Sequence, residues 1–181
     1  SWYGYHGGFP KDSLIHHSES AVYCFSQTED KIRLADTYLT LAVDYVNISD
    51  TERALETSFK ALTIYEAEGD QPGIGKAYRR IALISNQEKA FERALEYGKK
   101  ALEQAEADMD HYNAALCLLE LLQACQGMEQ YAEAYSYATR CIELVNREIP
   151  DQKGILTRAF SFRGDISINM DNLEQALSDH R

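Results

Sequence analysis

Apolar residues recur along this chain at i, i+3, i+4 and i+7, the spacing of one helix face rather than of a strand. Between Lys31 and Asn47 the stripe is Leu34, Tyr38, Leu41, Ala42 and Tyr45, and Asp30 stands where its N-cap should be. Leu14, Ile15, Ala21, Val22 and Phe25 predict an earlier helix over residues 11–28. Ser49 and Asp50 turn the chain into a helix that ends near Gly69. Asp70 and Pro72 start the next one, because proline is tolerated in a first helical turn. A turn near Asn86 to Lys89 leads to a helix from about Ala90 to Ala107. Asp110 opens another, carrying Leu118, Leu121, Leu122 and Cys125, with Gly127 in its turn. Ala134, Cys141 and Ile142 mark the helix after that, and Phe160 and Gly164 the one beyond Ile149-Pro150-Asp151.

These helices repeat. Residues 51–70, TERALETSFKALTIYEAEGD, return forty positions later as part of AFERALEYGKKALEQAEADMD. Arg53, Ala54, Leu55 and Glu56 become Arg93, Ala94, Leu95 and Glu96, while Tyr38, Leu41 and Ala42 become Tyr78, Ile81 and Ala82. The register extends upstream, with Ala21, Val22, Phe25 and Asp30 one period before Ala61, Leu62, Tyr65 and Asp70. A fixed period of this length implies stacked supersecondary units, each covering an apolar face that its neighbour leaves open. The recurrent alanines explain how the units close. Helix axes approach to about 8–10 Å only where small side chains meet, so Ala42 should face Ala54 and Ala82 should face Ala94. Ala61 and Ala101 should face the helix that opens the following pair.

At these positions the pattern resembles the tetratricopeptide repeat family. The resemblance rests on Tyr38, Leu41, Ala42, Tyr45, Ala54 and Ala61, and on Tyr78, Ile81, Ala82, Ala94 and Ala101. It implies an all-α fold, a right-handed α-solenoid of antiparallel helix pairs. Residues 1–30 would be a partial repeat, 31–70, 71–110 and 111–150 three full units, and 151–181 a second partial repeat. Leu122 departs from the pattern, standing where a small residue is usual, and Gly164 restores it. The forty-residue period resembles regulatory repeats of bacterial signalling proteins. In that setting such arrays precede a diguanylate cyclase (GGDEF), histidine kinase or DNA-binding output domain. Since both ends fall inside a repeat, the chain is expected to be part of a longer protein.

Charge and composition narrow the function. A formal charge of −11 over 181 residues disfavours a polyanion partner, so no nucleic acid is expected. No run of about eighteen apolar residues occurs, so no membrane span is expected within the chain. The opening SWYGYHGGFP lacks the order of a signal peptide. Cys24, Cys117, Cys125 and Cys141 form no CxxC pair. Cys117 and Cys125 lie roughly 12 Å apart along a helix, too far for a disulfide. They read as buried thiols filling small gaps, which favours a reducing, cytoplasmic setting.

No catalytic or metal constellation emerges. His16 and His17 are adjacent and diverge on a helix, and His6, His111 and His180 lack ligands at useful spacing. Gly73-Ile74-Gly75-Lys76 lacks the strand and the full motif of a phosphate loop and reads as a loosely packed helix start. Neither a cofactor nor an enzymatic activity is expected from this region.

By the family's geometry, the exposed side of the inner helices lines a groove. That side carries Asp36, Leu39, Thr40 and Val43, then Lys76, Arg79, Arg80 and Leu83. Leu116, Leu119, Glu120 and Gln123 follow, then Arg158, Phe162 and Asp165. The candidate peptide-binding residues are therefore Lys76, Arg79, Arg80 and Arg158, with Leu39, Val43, Leu83, Leu116 and Leu119 as apolar walls. The expected ligand is an acidic, partly apolar protein or peptide segment, the protein's own output domain among the candidates. The family's chaperone-tail clamp is matched only by Lys76 and Arg80, with Thr40 in place of its middle asparagine, so that ligand is not expected. The alternative is an assembly module that makes a homo-oligomer through open repeat ends or the convex surface.

Overall fold

The computed structural model describes residues 11–170, with side chains from residue 15 onward. Eight helices account for the described residues: α1 (Lys11–Ser26), α2 (Lys31–Asn47), α3 (Thr51–Glu68), α4 (Gln71–Gln87), α5 (Phe91–Ala107), α6 (His111–Gly127), α7 (Tyr131–Glu148) and α8 (Lys153–Asn169). No strand occurs among them, and the architecture is all-α, built from sequential antiparallel pairs.

Local chemistry starts the helices. Asp30, Asp50 and Asp110 each accept a hydrogen bond from the backbone N–H three residues on, at 3.1, 3.0 and 3.0 Å. Each satisfies one of the donors that a helix N-terminus leaves open. A second device ends them. Ser49, Gly69, Lys89, Met109 and Glu129 all take a left-handed conformation, one every twenty residues. After each, the next backbone N–H reaches back five residues: Asp50 to Tyr45, Asp70 to Tyr65, Ala90 to Ser85, Asp110 to Ala105 and Gln130 to Cys125, at 2.8–2.9 Å. This closure satisfies the last carbonyls and reverses the chain. The forty-residue period is thus two identical turns, and only Gly69 adopts its conformation without a Cβ penalty. The rhythm stops at Ile149, whose φ of −140° is extended, as suits a residue before proline.

The chain divides into two compact units, residues 1–73 and 74–181. In the first, α2 packs against both α1 and α3. Leu34, Ala35, Leu41, Ala42 and Tyr45 of α2 are buried, as are Ala54, Ala61, Leu62 and Tyr65 of α3. In the second, α5 to α8 pack in sequence and α6 also meets α8. Ala82, Ala94 and Ala134 are completely buried, as the alanine register required. Helix α6 is buried nearly all round, because neighbours lie on both of its flanks as well as beneath it.

Three expectations about small residues change. Cys117, Cys125 and Cys141 are buried thiols, but Cys24 is exposed, because no described helix packs over its side of α1. The glycines of α4 are closely packed rather than loose: a Cβ on Gly73 would come 2.2 Å from the Tyr65 ring, and one on Gly75 2.9 Å from Gln104. Gly127 is the last residue of α6 rather than a turn residue, and its missing Cβ makes room for the Phe91 ring, 2.3 Å from where that atom would lie. Tyr5, Gly7, Gly8 and Pro10 and the closing stretch DNLEQALSDHR lie outside the described residues, as does the side chain of Leu14.

Candidate functional site

In the second unit α4, α6 and α8 form one layer. Asn86 Nδ2 on α4 donates to the Glu120 backbone carbonyl at 2.9 Å and to its carboxylate Oε2 at 3.2 Å, while α6 packs against α8. The other layer, α5 and α7, is tied by an ion pair between Arg140 and Glu106. A sequence offset of 34 residues separates the partners in each layer, six short of the forty-residue period.

Lys76, Arg79 and Arg80 stand at i, i+3 and i+4 on α4 and so share a face. Lys76 is exposed, whereas Arg79 and Arg80 are partly buried. Burial lowers the Arg80 pKa, and the neighbouring Arg79 charge lowers it further, with Glu120 acting in the opposite sense. An arginine stays charged even so, and the cost is met as solvation lost by the folded protein. The Nε of Arg79 is buried and has no acceptor. Arg158 of α8 is exposed.

Glu120 lies among these cations with only 4% of its surface exposed. Burial raises its carboxyl pKa, against the Asn86 hydrogen bond and the charges of Arg158, Arg79 and Arg80. Among the described residues, none of those three arginines comes within 4.0 Å of a carboxylate oxygen. On the outer helices, by contrast, Lys100 pairs with Glu96, Arg140 with Glu106 and Arg147 with Glu148. The inner layer therefore presents more guanidinium donors than acceptors, in a partly desolvated setting where a charged contact is stronger than in water.

Not every expected residue takes its expected place. Leu83 and Leu116 are partly buried beside the cations, as a groove wall would be. Leu119 is 1% exposed and belongs to the core, because α6 has neighbours on both flanks. Leu39 and Val43 are half-buried on α2, in the first unit. Glu120 also departs from expectation, being buried rather than facing the groove. Its signal was present as the one acid in the run Cys117 to Cys125, CLLELLQAC. Nothing comparable marks Asn86, whose role depends on a partner 34 residues away.

Among the described residues no group of three or more His, Cys, Asp or Glu side chains could hold a metal ion. His16 and His17 are exposed, with ring centroids 6.4 Å apart and edge-on. No described helix is long and apolar enough to cross a membrane.

No protein-family model matches the sequence, and no curated protein matches it. Solved structures do match. Aspartyl phosphate phosphatase F from Bacillus subtilis is 19% identical with a TM-score of 0.83, over 94% of this chain and 45% of that one. A Rap protein complexed with competence and sporulation factor is 20% identical with a TM-score of 0.79, over 91% of this chain and 46% of that one. The TPR-like repeats of a putative kinesin light chain from Podosopora anserina are 14% identical with a TM-score of 0.71, over 94% and 87%. The chain spans less than half the length of the first two. At these identities the likeness is one of fold, and the fold is that of tetratricopeptide-like repeats.

Proposed function

We propose that this chain is a non-catalytic interaction scaffold whose second unit binds an acidic, partly apolar protein or peptide segment on the α4–α6–α8 layer. The observation that carries this reading is the surplus of arginine donors around Glu120. Among the described residues Arg79, Arg80 and Arg158 make no ion pair within 4.0 Å, although Glu120 lies among them and the chain carries a net charge of −11. A ligand carboxylate would supply the missing acceptors through paired N–H bonds, and Leu83 and Leu116 would accept its apolar neighbours. Because the helices are already ordered, little conformational entropy is lost on binding.

The wider context is part of the proposal. We assign the chain to the regulatory or sensory portion of a larger bacterial signalling protein, with an output domain of the diguanylate cyclase kind as one partner for the site. The forty-residue period supports this, as does a fold shared with a Rap protein that was solved with a bound factor. A fold shared with a phosphatase does not carry activity across at 19% identity and less than half of that enzyme's length. The buried thiols suit a reducing, cytoplasmic setting.

The test is fluorescence anisotropy with a short peptide alternating glutamate and leucine, beside its glutamine counterpart. The acidic peptide should bind more tightly and lose affinity as salt rises. Reversing the two exposed cations, Lys76→Glu with Arg158→Glu, should weaken it by tenfold or more on the order of two lost charged contacts. Equal binding of the two peptides, or an unchanged double variant, would overturn the reading.

A second reading has its own observation. Met109 and Tyr112, at the turn between α5 and α6, are 76% and 46% exposed. Two large apolar side chains there suit self-association. Sedimentation equilibrium of Met109→Lys with Tyr112→Ser should then show fewer oligomers than the parent chain, and no change would remove this alternative.

A further inference from the structure

Beyond the cations, where α4 and α6 end, the second unit has a cleft of about 300 Å³. Asn86 and Gln87 of α4, Phe91 of α5, Gln123 and Gln126 of α6 and Phe162 of α8 line it. No carboxylate is among the residues lining it, which is unusual on a chain with 29 acidic residues. Nothing there repels an acidic ligand. Gln87, Gln123 and Gln126 make no side-chain hydrogen bond within the described residues, so each amide keeps a donor and an acceptor for an incoming group. That is the combination which pairs with the N–H and C=O of an extended main chain, whatever its side chains. The two phenyl rings add an apolar surface.

Cleft and cations lie in register on the same helices. On α8 Phe162 follows Arg158 by four residues, on α6 Gln123 follows Glu120 by three, and on α4 Gln87 follows Arg80 by seven. At about 1.5 Å rise per residue the two features are roughly 5–10 Å apart. An extended peptide covers that distance in about two or three residues. Asn86 joins them physically, since its amide holds Glu120 in the cationic layer while its side chain lines the cleft.

We propose that this cleft is a second subsite of the ligand face, taking an aromatic or large aliphatic side chain two or three residues from the acid held by the arginines. The glutamines bind the intervening main chain. The proposal rests on the acidic-ligand reading above and adds the spacing and the apolar anchor to it.

Three labelled peptides test it, each in the same Gly-Ser surround: Glu-Glu-Ser-Ser-Phe, Glu-Glu-Ser-Ser-Ser, and one with the phenylalanine moved to the far end of the surround. The first should bind the intact protein roughly tenfold more tightly than the other two, as burial of one phenyl side chain predicts. Phe162→Ala should remove that advantage and leave the all-serine peptide unaffected. The exposed Gln87→Ala, which cannot disturb the core, should weaken all three peptides alike, because Gln87 binds the main chain they share. Equal, salt-sensitive binding of all three peptides would overturn the subsite and leave the acidic-ligand reading standing. Binding by none of them would overturn both. An advantage that survives Phe162→Ala would place the apolar anchor elsewhere and overturn the subsite alone.

Discussion

The two units use one packing scheme and opposite polar chemistry. In the first, acids on or beside α2 are closed by hydroxyl donors from neighbouring helices. Tyr45 Oη donates to Glu19 at 2.8 Å, Tyr65 Oη to Asp36 at 2.7 Å and Ser18 Oγ to Asp44 at 2.5 Å. In the second, the position forty residues beyond Asp36 is Lys76, the slot of Thr40 holds Arg80 and then Glu120, and guanidinium donors outnumber their acceptors. Tyr65 is pushed to a higher pKa by burial and by Asp36, so its hydroxyl stays a donor throughout the working pH range. A repeat lattice thus holds the backbone constant while individual slots change from satisfied to unsatisfied. The unsatisfied layer is where a ligand adds most, since its groups replace no existing bond.

The largest contrast should appear in thiol chemistry. Burial pushes Cys117 and Cys141 up to about 12 and Cys125 up to about 11. From an ordinary thiol value near 9.0 their reactive thiolate fraction falls about a hundredfold to a thousandfold. Cys24 of the first unit is exposed. Titration with a disulfide reagent under native conditions should therefore modify one thiol fast and the rest only on unfolding. Four equally fast thiols would contradict the burial in the second unit.

Asn86→Ala comes next. It leaves the Glu120 carboxylate buried without its donor and should cost about 2–3 kcal/mol in urea unfolding. The shared packing can be checked with Ala54→Leu in one unit and Ala94→Leu in the other, both completely buried. Each should cost about 1–3 kcal/mol by overpacking a helix contact. A neutral result for either would mean that the alanine register differs between the units. Tyr65→Phe should cost less, about 0.5–1.5 kcal/mol, because Asp36 is exposed and water can replace the lost hydroxyl.

The smallest effect is a slope. The folded carboxyl pKa of Glu120 lies above its unfolded value. Between those two values the native state binds more protons than the unfolded state, so this group's contribution is full below the unfolded pKa and lost as pH rises through the folded one. Glu120→Gln keeps the Asn86 hydrogen bond and removes the titration. Its stability should therefore fall less than the parent's as pH rises above the ordinary carboxylate range. Parallel curves for Glu120→Gln and the parent would show that the carboxyl binds protons equally in the folded and unfolded states, the surrounding charges having offset its burial.

Much of this was legible in the sequence. Helix spacing, the aspartate caps and the forty-residue register locate all eight helices to within a few residues, because each depends on contacts inside one turn or one pair. The alanine positions were legible for the same reason, since a small residue recurring at one slot marks a close backbone approach. Exposure on the inner helices was not. Leu119 and Leu116 look alike in sequence, yet one is core and the other only half-buried, because flank neighbours come from different repeats.

The sequence by itself determined where helices begin and end, which alanines are buried and that the architecture is all-α. Local hydrogen bonding and apolar periodicity suffice for that. Only the tertiary structure decided that Glu120 is buried among Arg79, Arg80 and Arg158, that Asn86 anchors it, and that an acid-free cleft lies beyond them. Those facts depend on which side chains three helices bring together across offsets of 34 residues and more. Electrostatic and solvation energies respond to that proximity and to loss of water, and neither is written in the spacing along one helix.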